Sequence, residues 1–393
     1  MTAAAALEPG ALAAVRRALL FGNFVIGSGV MAVVGVLNDL SRSLEVSVAT
    51  AGQLISIAAA VMCFGAPFLA GWVGGFDRRR LLVGALLWYA AGHGLCALMP
   101  SYEALLPVRA ATVLGAAVFT PQAAAAIGVM ASPAQRGRAI MTIFIGWSAA
   151  SVIGVPIASW LGESLGWRMA FAAIAVLALV GAGWVHRVMP DHVRPPTLSL
   201  GDWKGLLRNP VLMGMVAVTA LSGAGQFTLF SYLAPYYRQV LEASAAEISL
   251  YFFWFGAFGV IGNMLMSRWV DRLGTDRAVA LTLALMGVSL LAWPLGIGPF
   301  SMALVLIPWG LGCFASNSAQ QARLGRAAPA LAPALMALNS SAIYLGQAAG
   351  ASSGGWTIEH GGYAPLHWIG VGWMIVAIAL SMWVGRRATA RAA

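Results

Sequence analysis

"SRWVDRLGTDR", Ser267 to Arg277, sets three arginines and two aspartates between two long apolar runs, in a chain where only 9% of residues are charged. A second charged stretch, "GWVGGFDRRR" from Gly71 to Arg80, places Asp77-Arg78 194 residues (271 less 77) before Asp271-Arg272, close to half of the 393-residue chain. The pattern is written twice, so the chain reads as two related halves.

The surroundings of these two stretches decide the fold class. Hydrophobic residues make up 60% of the chain and the mean hydropathy is +0.82, whereas a soluble domain carries about 25% charged residues. Crossing about 30 Å of hydrocarbon takes about 20 apolar residues in a helix. Twelve such runs are legible, at roughly 14–38, 46–74, 80–99, 102–130, 137–162, 166–188, 208–239, 245–270, 277–297, 299–324, 331–357 and 363–385. They are too long and continuous for barrel strands, and hydrocarbon leaves no water for unpaired backbone groups, so each is expected to be a helix. The fold class is an all-α membrane protein of twelve transmembrane helices in two pseudo-symmetric six-helix bundles. No stretch remains for a soluble domain, and the first run, after Arg16-Arg17, reads as an uncleaved span rather than a signal peptide.

All but four of the 23 basic residues, the exceptions being Arg42, Arg109, Arg168 and Arg238, fall on one side of a twelve-span layout. Positive loops stay in the cytoplasm, so both termini are expected there, in a bacterial inner membrane. In a soluble protein a net charge of +10 would suggest nucleic acid; here no nucleic-acid partner is expected. Cys63, Cys96 and Cys313 lie inside apolar runs without paired spacing, so neither a disulfide framework nor a metal site is indicated, and no cofactor is expected.

The longest interior polar segment, Pro190 to Asn209, reads as a linker in which Pro195-Pro196 disfavours helix and Ser199 with Asp202 resembles a capping box for a short interfacial helix. The expected organisation is a bundle over 1–189, a cytoplasmic linker over 190–207 and a second bundle over 208–393. At an offset of 196, "WLGESLGW" (Trp160 to Trp167) matches "WTIEHGGY" (Trp356 to Tyr363) at Trp160/Trp356, Glu163/Glu359 and Gly166/Gly362, and Gly154 matches Gly350. Two such repeats are how many secondary transporters are built, with substrate near the midplane.

Near the expected midplane the polar groups are neutral: Asn23, Ser28, Gln122 and Ser148 in the first half, and Gln226, Asn317, Asn339, Tyr344 and Gln347 in the second. Some of these line a substrate cavity and some merely join helices. Tyr232, Tyr236, Tyr237, Tyr251 and Trp254 crowd the outer halves of spans seven and eight as interfacial anchors, and His93 and His367 read as packing or interfacial residues.

Six plus six spans with an Asp-Arg loop after spans two and eight resemble the major facilitator superfamily over the whole chain. "ATAGQLIS" (Ala49 to Ser56), "FDRRRLL" (Phe76 to Leu82), "RGRAI" (Arg136 to Ile140) and "GVPIASWLGESLGWRMAF" (Gly154 to Phe171) are similar to its sugar-efflux and drug-efflux branch. The resemblance implies export of a small neutral or amphipathic solute, a drug, sugar or related metabolite, by a non-enzymatic monomer in the bilayer; an importer or facilitated-diffusion carrier without proton coupling is the alternative. It also implies a cytoplasmic latch, with Asp77 and Asp271 as helix-capping acids and Arg78, Arg80, Arg272 and Arg277 as partners. Gly146, Gly154 and Pro156 resemble the fifth-span exporter motif, with generic close packing as the other reading. Arg109, about 10 Å inside the outer end of span four, resembles an arginine implicated in proton coupling or substrate contact; snorkelling is its plainer account. Val30 stands where that branch often has a glutamate. Three routes remain: coupling through an outer-end acid such as Asp39, proton movement with the substrate itself, or no proton coupling. The expectation is that Asp39 pairs with the Arg109 region and that coupling is weak or absent, the other reading being that Asp39 merely ends span one.

Overall fold

The computed structural model describes residues 8–73, 75–132, 136–194, 200–328 and 331–392. Its helices are α1 (Pro9–Ser43), α2 (Val48–Trp72), α3 (Arg78–Leu98), α4 (Tyr102–Thr112), α5 (Leu114–Met130), α6 (Arg136–Ala149), α7 (Val155–Leu165), α8 (Trp167–Val188), α9 (Leu200–Leu207), α10 (Pro210–Phe230), α11 (Leu233–Gln239), α12 (Ala245–Leu273), α13 (Thr275–Leu291), α14 (Pro299–Ala327), α15 (Ala332–Gly361) and α16 (Leu366–Ala392). This is an all-α membrane protein. Among the described residues, ten helical stretches are long and apolar enough to cross a membrane; α13, with 17 residues, and α15, with 30, occupy the other two of the twelve legible runs. Large apolar side chains such as Phe300, Ile297 and Leu98 lie exposed, as a lipid-facing surface requires.

The runs break where chemistry disfavours a continuous ladder. Span four is two helices meeting at Val113, with Pro107 inside α4 and Pro121 inside α5. Span five carries a π turn at Ala150–Gly154 immediately before Pro156, since proline has no N–H to continue the α-helical register. Span seven breaks between α10 and α11, and α13 stops at Leu291 before a 3-10 turn at Trp293–Leu295. A short helix, α9, lies within the polar segment as anticipated, although Ser199 lies outside the described residues.

The chain forms two compact units: Met1–Val46 with Phe64–Thr197, and Ser47–Cys63 with Leu198–Ala393. The first part of α2 therefore packs with the second unit. Within the first unit, α1 packs on α6, α7 and α8, and α3 packs on α8 and α5; within the second, α10 packs on α15 and α16, and α13 on α14 and α16. The 196-residue repeat accounts for this likeness. A Cβ at Gly27 would fall 2.9 Å from the Ala150 Cβ, and the counterparts Gly223 and Gly346 are also in direct contact, Cβ to Cα at 3.3 Å. Small residues let these helix backbones approach closely. Gly166 and Gly362, also 196 apart, have φ of +91° and +70° and join α7 to α8 and α15 to α16, a conformation that glycine adopts without steric cost.

In the second unit the aromatic residues form a core rather than an interfacial belt. Tyr237 packs at a tilt on Tyr251 with centroids 4.6 Å apart, Tyr236 lies 5.3 Å from Trp293, and Trp309 meets Phe230, Phe255 and Trp293 at 5.3–6.3 Å. Tyr232 and Tyr237 are buried, so their anchoring role is replaced by packing.

Candidate functional site

The first unit places a wholly buried charge. Arg109 is 0% exposed; its Nη2 donates to the backbone carbonyls of Gly29 (2.8 Å) and Val30 (3.1 Å) on α1, and its Nη1 donates to His93 Nε2 on α3 at 3.1 Å. The Phe171 ring of α8 lies 5.7 Å from its Cζ. Arg109 thus neither snorkels nor opens to solvent in this conformation. His93, read from sequence as a packing or interfacial residue, is its neighbour because both stand eight residues from Ser101 on antiparallel helices and share one depth. That equal spacing was the available signal.

The anticipated pairing of Asp39 with Arg109 is corrected by the structure. Asp39 Oδ2 accepts the backbone N–H of Trp167 at 2.6 Å, and Oδ1 lies 3.8 Å from Arg42 Nη2, which also reaches Glu163 at 3.6 Å. The positive N-terminal end of α8 holds the carboxylate there, an interaction of the kind worth about 0.3–1 kcal/mol at an exposed site.

Of the other first-unit candidates, Asn23 is buried and its Oδ1 accepts from Thr120 Oγ1 at 2.8 Å. Ser28 is buried against Gly154. Gln122 is buried and Ser148 is partly exposed. Gly146 abuts Asn23 and Phe24, so the glycines of the fifth-span motif serve close packing on α1, and Pro156 follows the π turn rather than producing a simple kink.

The second unit joins its candidates into a neutral ladder. Thr219 Oγ1 donates to Asn339 Oδ1 (2.6 Å), Asn339 Nδ2 donates to Asn317 Oδ1 (3.1 Å), and Gln321 Nε2 reaches the same oxygen at 3.4 Å. Gln226 Oε1 accepts from Trp309 Nε1 at 3.4 Å. Asn339 and Gln347 are buried, while Asn317, Gln226 and Tyr344 are partly exposed. Thr219, Gln321 and Trp309 were not singled out in the sequence, because neutral polar residues in apolar runs carry no spacing signature.

At the ends of α2 and α12 the two charged stretches differ. Asp77 caps α3, its Oδ1 accepting the Arg80 backbone N–H at 3.1 Å rather than a guanidinium. Arg78 is buried and donates to the carbonyls of Phe76 (2.7 Å) and Val73 (3.2 Å), while Arg79 pairs with Asp191 at 2.7 Å. Arg80 is exposed and helps line an open pocket of 350 Å³ with Phe76, Asp77 and Arg194. Asp271 lies in the last turn of α12, and its side chain is outside those described; Arg272 and Arg277 are exposed. The two matched aspartates are therefore not equivalent: a five-residue turn separates α2 from α3, whereas Gly274 alone separates α12 from α13. An ion pair on this side of the second unit joins Asp276 to Arg323 at 2.6 Å.

The model of the Major Facilitator Superfamily matches residues 19–330 and 217–393. The chain belongs to the Major Facilitator Superfamily. It is 29% identical to the inner membrane transport protein YdhP of Escherichia coli (strain K12), covering 88% of this chain and 90% of that one. It is 28% identical to a protein of Mannheimia succiniciproducens named "Probable sugar efflux transporter", covering 90% and 89%. Among solved structures, the crystal structure of a bacterial homolog of the human lysosomal transporter Spinster superposes with a TM-score of 0.77 at 16% identity, covering 97% of this chain and 98% of that one. As a major facilitator, this chain is a multi-pass membrane transporter whose relatives include inner-membrane proteins.

Proposed function

We propose that this transporter exports a small neutral or amphipathic solute, with a sugar-like polyhydroxylated compound as the leading class, by alternating access of two halves, 1–189 and 208–393, joined by the linker 190–207. The observation that carries this reading is the ladder Thr219, Asn339, Asn317 and Gln321, whose hydroxyl and carboxamide groups can both donate and accept but carry no charge. Such groups suit hydroxyls of a solute better than a fixed ion. The name of the Mannheimia relative supports the same class and direction. Within the second unit the solute would reach Gln226, Asn317 and Tyr344, the partly exposed members of the candidate set there, while Asn339 and Gln347 hold helices and orient them. The protein would act as a monomer in the inner membrane with both termini in the cytoplasm, the side on which the basic residues gather.

Proteoliposomes containing only this protein test the reading. Counterflow of radiolabelled pentoses and hexoses is expected, with Asn317→Ala weakening half-saturation about three- to tenfold, the loss of one hydrogen bond. No solute flux from a panel of sugars and amphipathic drugs would overturn it. A facilitated carrier is the second reading, favoured by valine, which cannot titrate, at position 30, whose backbone carbonyl accepts from Arg109; inverted vesicles that equilibrate solute without concentrating it would select that alternative.

A further inference from the structure

Arg109 and His93 form a device that the transport reading, on which this inference rests, does not by itself require. A guanidinium has five N–H groups and no acceptor. Because Arg109 Nη1 lies 3.1 Å from His93 Nε2, that nitrogen presents its lone pair. The other ring nitrogen, Nδ1, lies 2.9 Å from the Tyr89 carbonyl oxygen and must donate to it. The imidazole is therefore held neutral with its proton on Nδ1. A proton added at Nε2 would turn the one acceptor that His93 offers Arg109 into a donor, and that hydrogen bond would be lost, leaving the guanidinium the Gly29 and Val30 carbonyls. A proton and the guanidinium cannot hold Nε2 together.

The surroundings supply no carboxylate that would relieve this conflict. The described groups facing the pair are the Gly29 and Val30 carbonyls on α1, Tyr89 and Cys96 on α3, Thr112 on α4 and the Phe171 ring on α8. Among them Tyr89 and Cys96 are titratable and neither is an acid of the carboxylate kind; Tyr89 donates its hydroxyl to the Ile26 carbonyl at 2.9 Å. Asp39 and Glu163 are engaged with Trp167 and Arg42. Buried charge is retained in a membrane protein mainly where it has a function.

Two further features belong to the same device. Gly29 has no side chain where a Cβ would fall 2.8 Å from His93 Nε2, so the glycine makes room for the pair. Arg109 lies on α4, an eleven-residue helix with Pro107 inside it that passes into α5 through a turn at Val113. The repeat argues that the pair is not demanded by the fold. At an offset of 196, His93 corresponds to Ser289 and Arg109 to Val305, and there the Ser289 hydroxyl simply donates to the Val305 carbonyl.

We propose that His93 Nε2 is the coupling-proton site of this transporter, occupied alternately by a proton and by the Arg109 guanidinium. The proton arrives from solvent when Arg109 withdraws, and returns to solvent when Arg109 re-forms its hydrogen bond in the other conformation. His93 is the proton-binding residue; Arg109 is its competitor.

Spin labels at Glu45 and Glu242, both exposed, report the conformational equilibrium in nanodiscs without any solute. For the unaltered chain the ratio of distance populations is expected to change about tenfold or more between pH 5.5 and 8.5. His93→Gln keeps an acceptor for Arg109 but cannot take a proton in this range; its ratio should change less than about twofold, with thermal melting showing that it remains folded. An unaltered chain that ignores pH, or a His93→Gln variant with the full response, would overturn the proposal. Should that variant not fold, ¹⁵N spectra of histidine-labelled protein decide: one imidazole must pass from Nδ1–H to doubly protonated over the interval in which the distances change, and its absence would overturn the proposal equally. Sugar counterflow needs no pH gradient, so failure of the transport reading appears there and not in the distances.

Discussion

The two units use one packing scheme for opposite interiors. In the first, α1 meets the π turn between α6 and α7 through Gly27 and Ala150, and the space between α1, α3, α4 and α8 is filled by Arg109, His93 and Tyr89. In the second, α10 meets α15 through Gly223 and Gly346, and the corresponding positions are Val305, Ser289 and Leu285, beside a core of Trp309, Phe230, Phe255 and Trp293. The close glycine contacts survive in both because two helix backbones cannot approach without them. The Arg109–His93 pair survives in one only, and Val30, the neighbour of Arg109, corresponds to Gln226, which bonds Trp309. Shared positions describe the scaffold; unshared ones describe what each half does on it.

Transplanting the charge is the harshest way to break this comparison. Val305→Arg would bury a guanidinium where Ser289 offers one hydroxyl already committed to a carbonyl, at a cost of at least a few kcal/mol. Fluorescence-detected size exclusion should show loss of the monodisperse peak; a normal yield of folded protein would mean that the second unit tolerates what it lacks. A gentler probe compares Gly350→Ala with Gly154→Ala. The new methyl at 350 would meet backbone, the Ala224 carbonyl at 2.5 Å and the Thr228 nitrogen at 2.9 Å, whereas at 154 it would meet the movable Ser28 side chain. Overpacking of about 1–3 kcal/mol is expected for the former and less for the latter, so the melting temperature in detergent should fall further for Gly350→Ala, and Ser28→Ala should rescue Gly154→Ala alone.

The smallest effect sharpens the difference between the charged stretches. Asparagine caps helices about as well as aspartate, so Asp77→Asn should change stability by only a few tenths of a kcal/mol, while Asp77→Ala should cost about 1 kcal/mol. If the Asp77 charge also latches the cytoplasmic ends of helices, Asp77→Asn will shift the balance of inward and outward states without shifting the melting temperature. Identical populations in Asp77→Asn and the unaltered chain would reduce Asp77 to a cap.

The helices, their number and the internal repeat were legible in the sequence because hydrocarbon imposes one rule on every segment: an apolar run long enough to cross must close its own backbone hydrogen bonds. The efflux-branch resemblance was legible for a similar reason, since its motifs lie within single helices and their turns. Asp39 illustrates the limit. Its place at the outer end of span one could be read, but its partner, the Trp167 amide, lies 128 residues away, across a helix contact that no local pattern encodes. The equivalence of Asp77 and Asp271 failed likewise, because the length of a turn, and not the offset, decides which residue caps the next helix. Tertiary structure alone decided which neutral residues joined the Thr219–Asn339–Asn317 ladder and that Arg109, whose common depth with His93 the spacing from Ser101 offered, is turned to face it. Such meetings depend on the rotation of each helix about its axis and on its depth beside a neighbour, which are set by packing between helices rather than by the composition of any one of them.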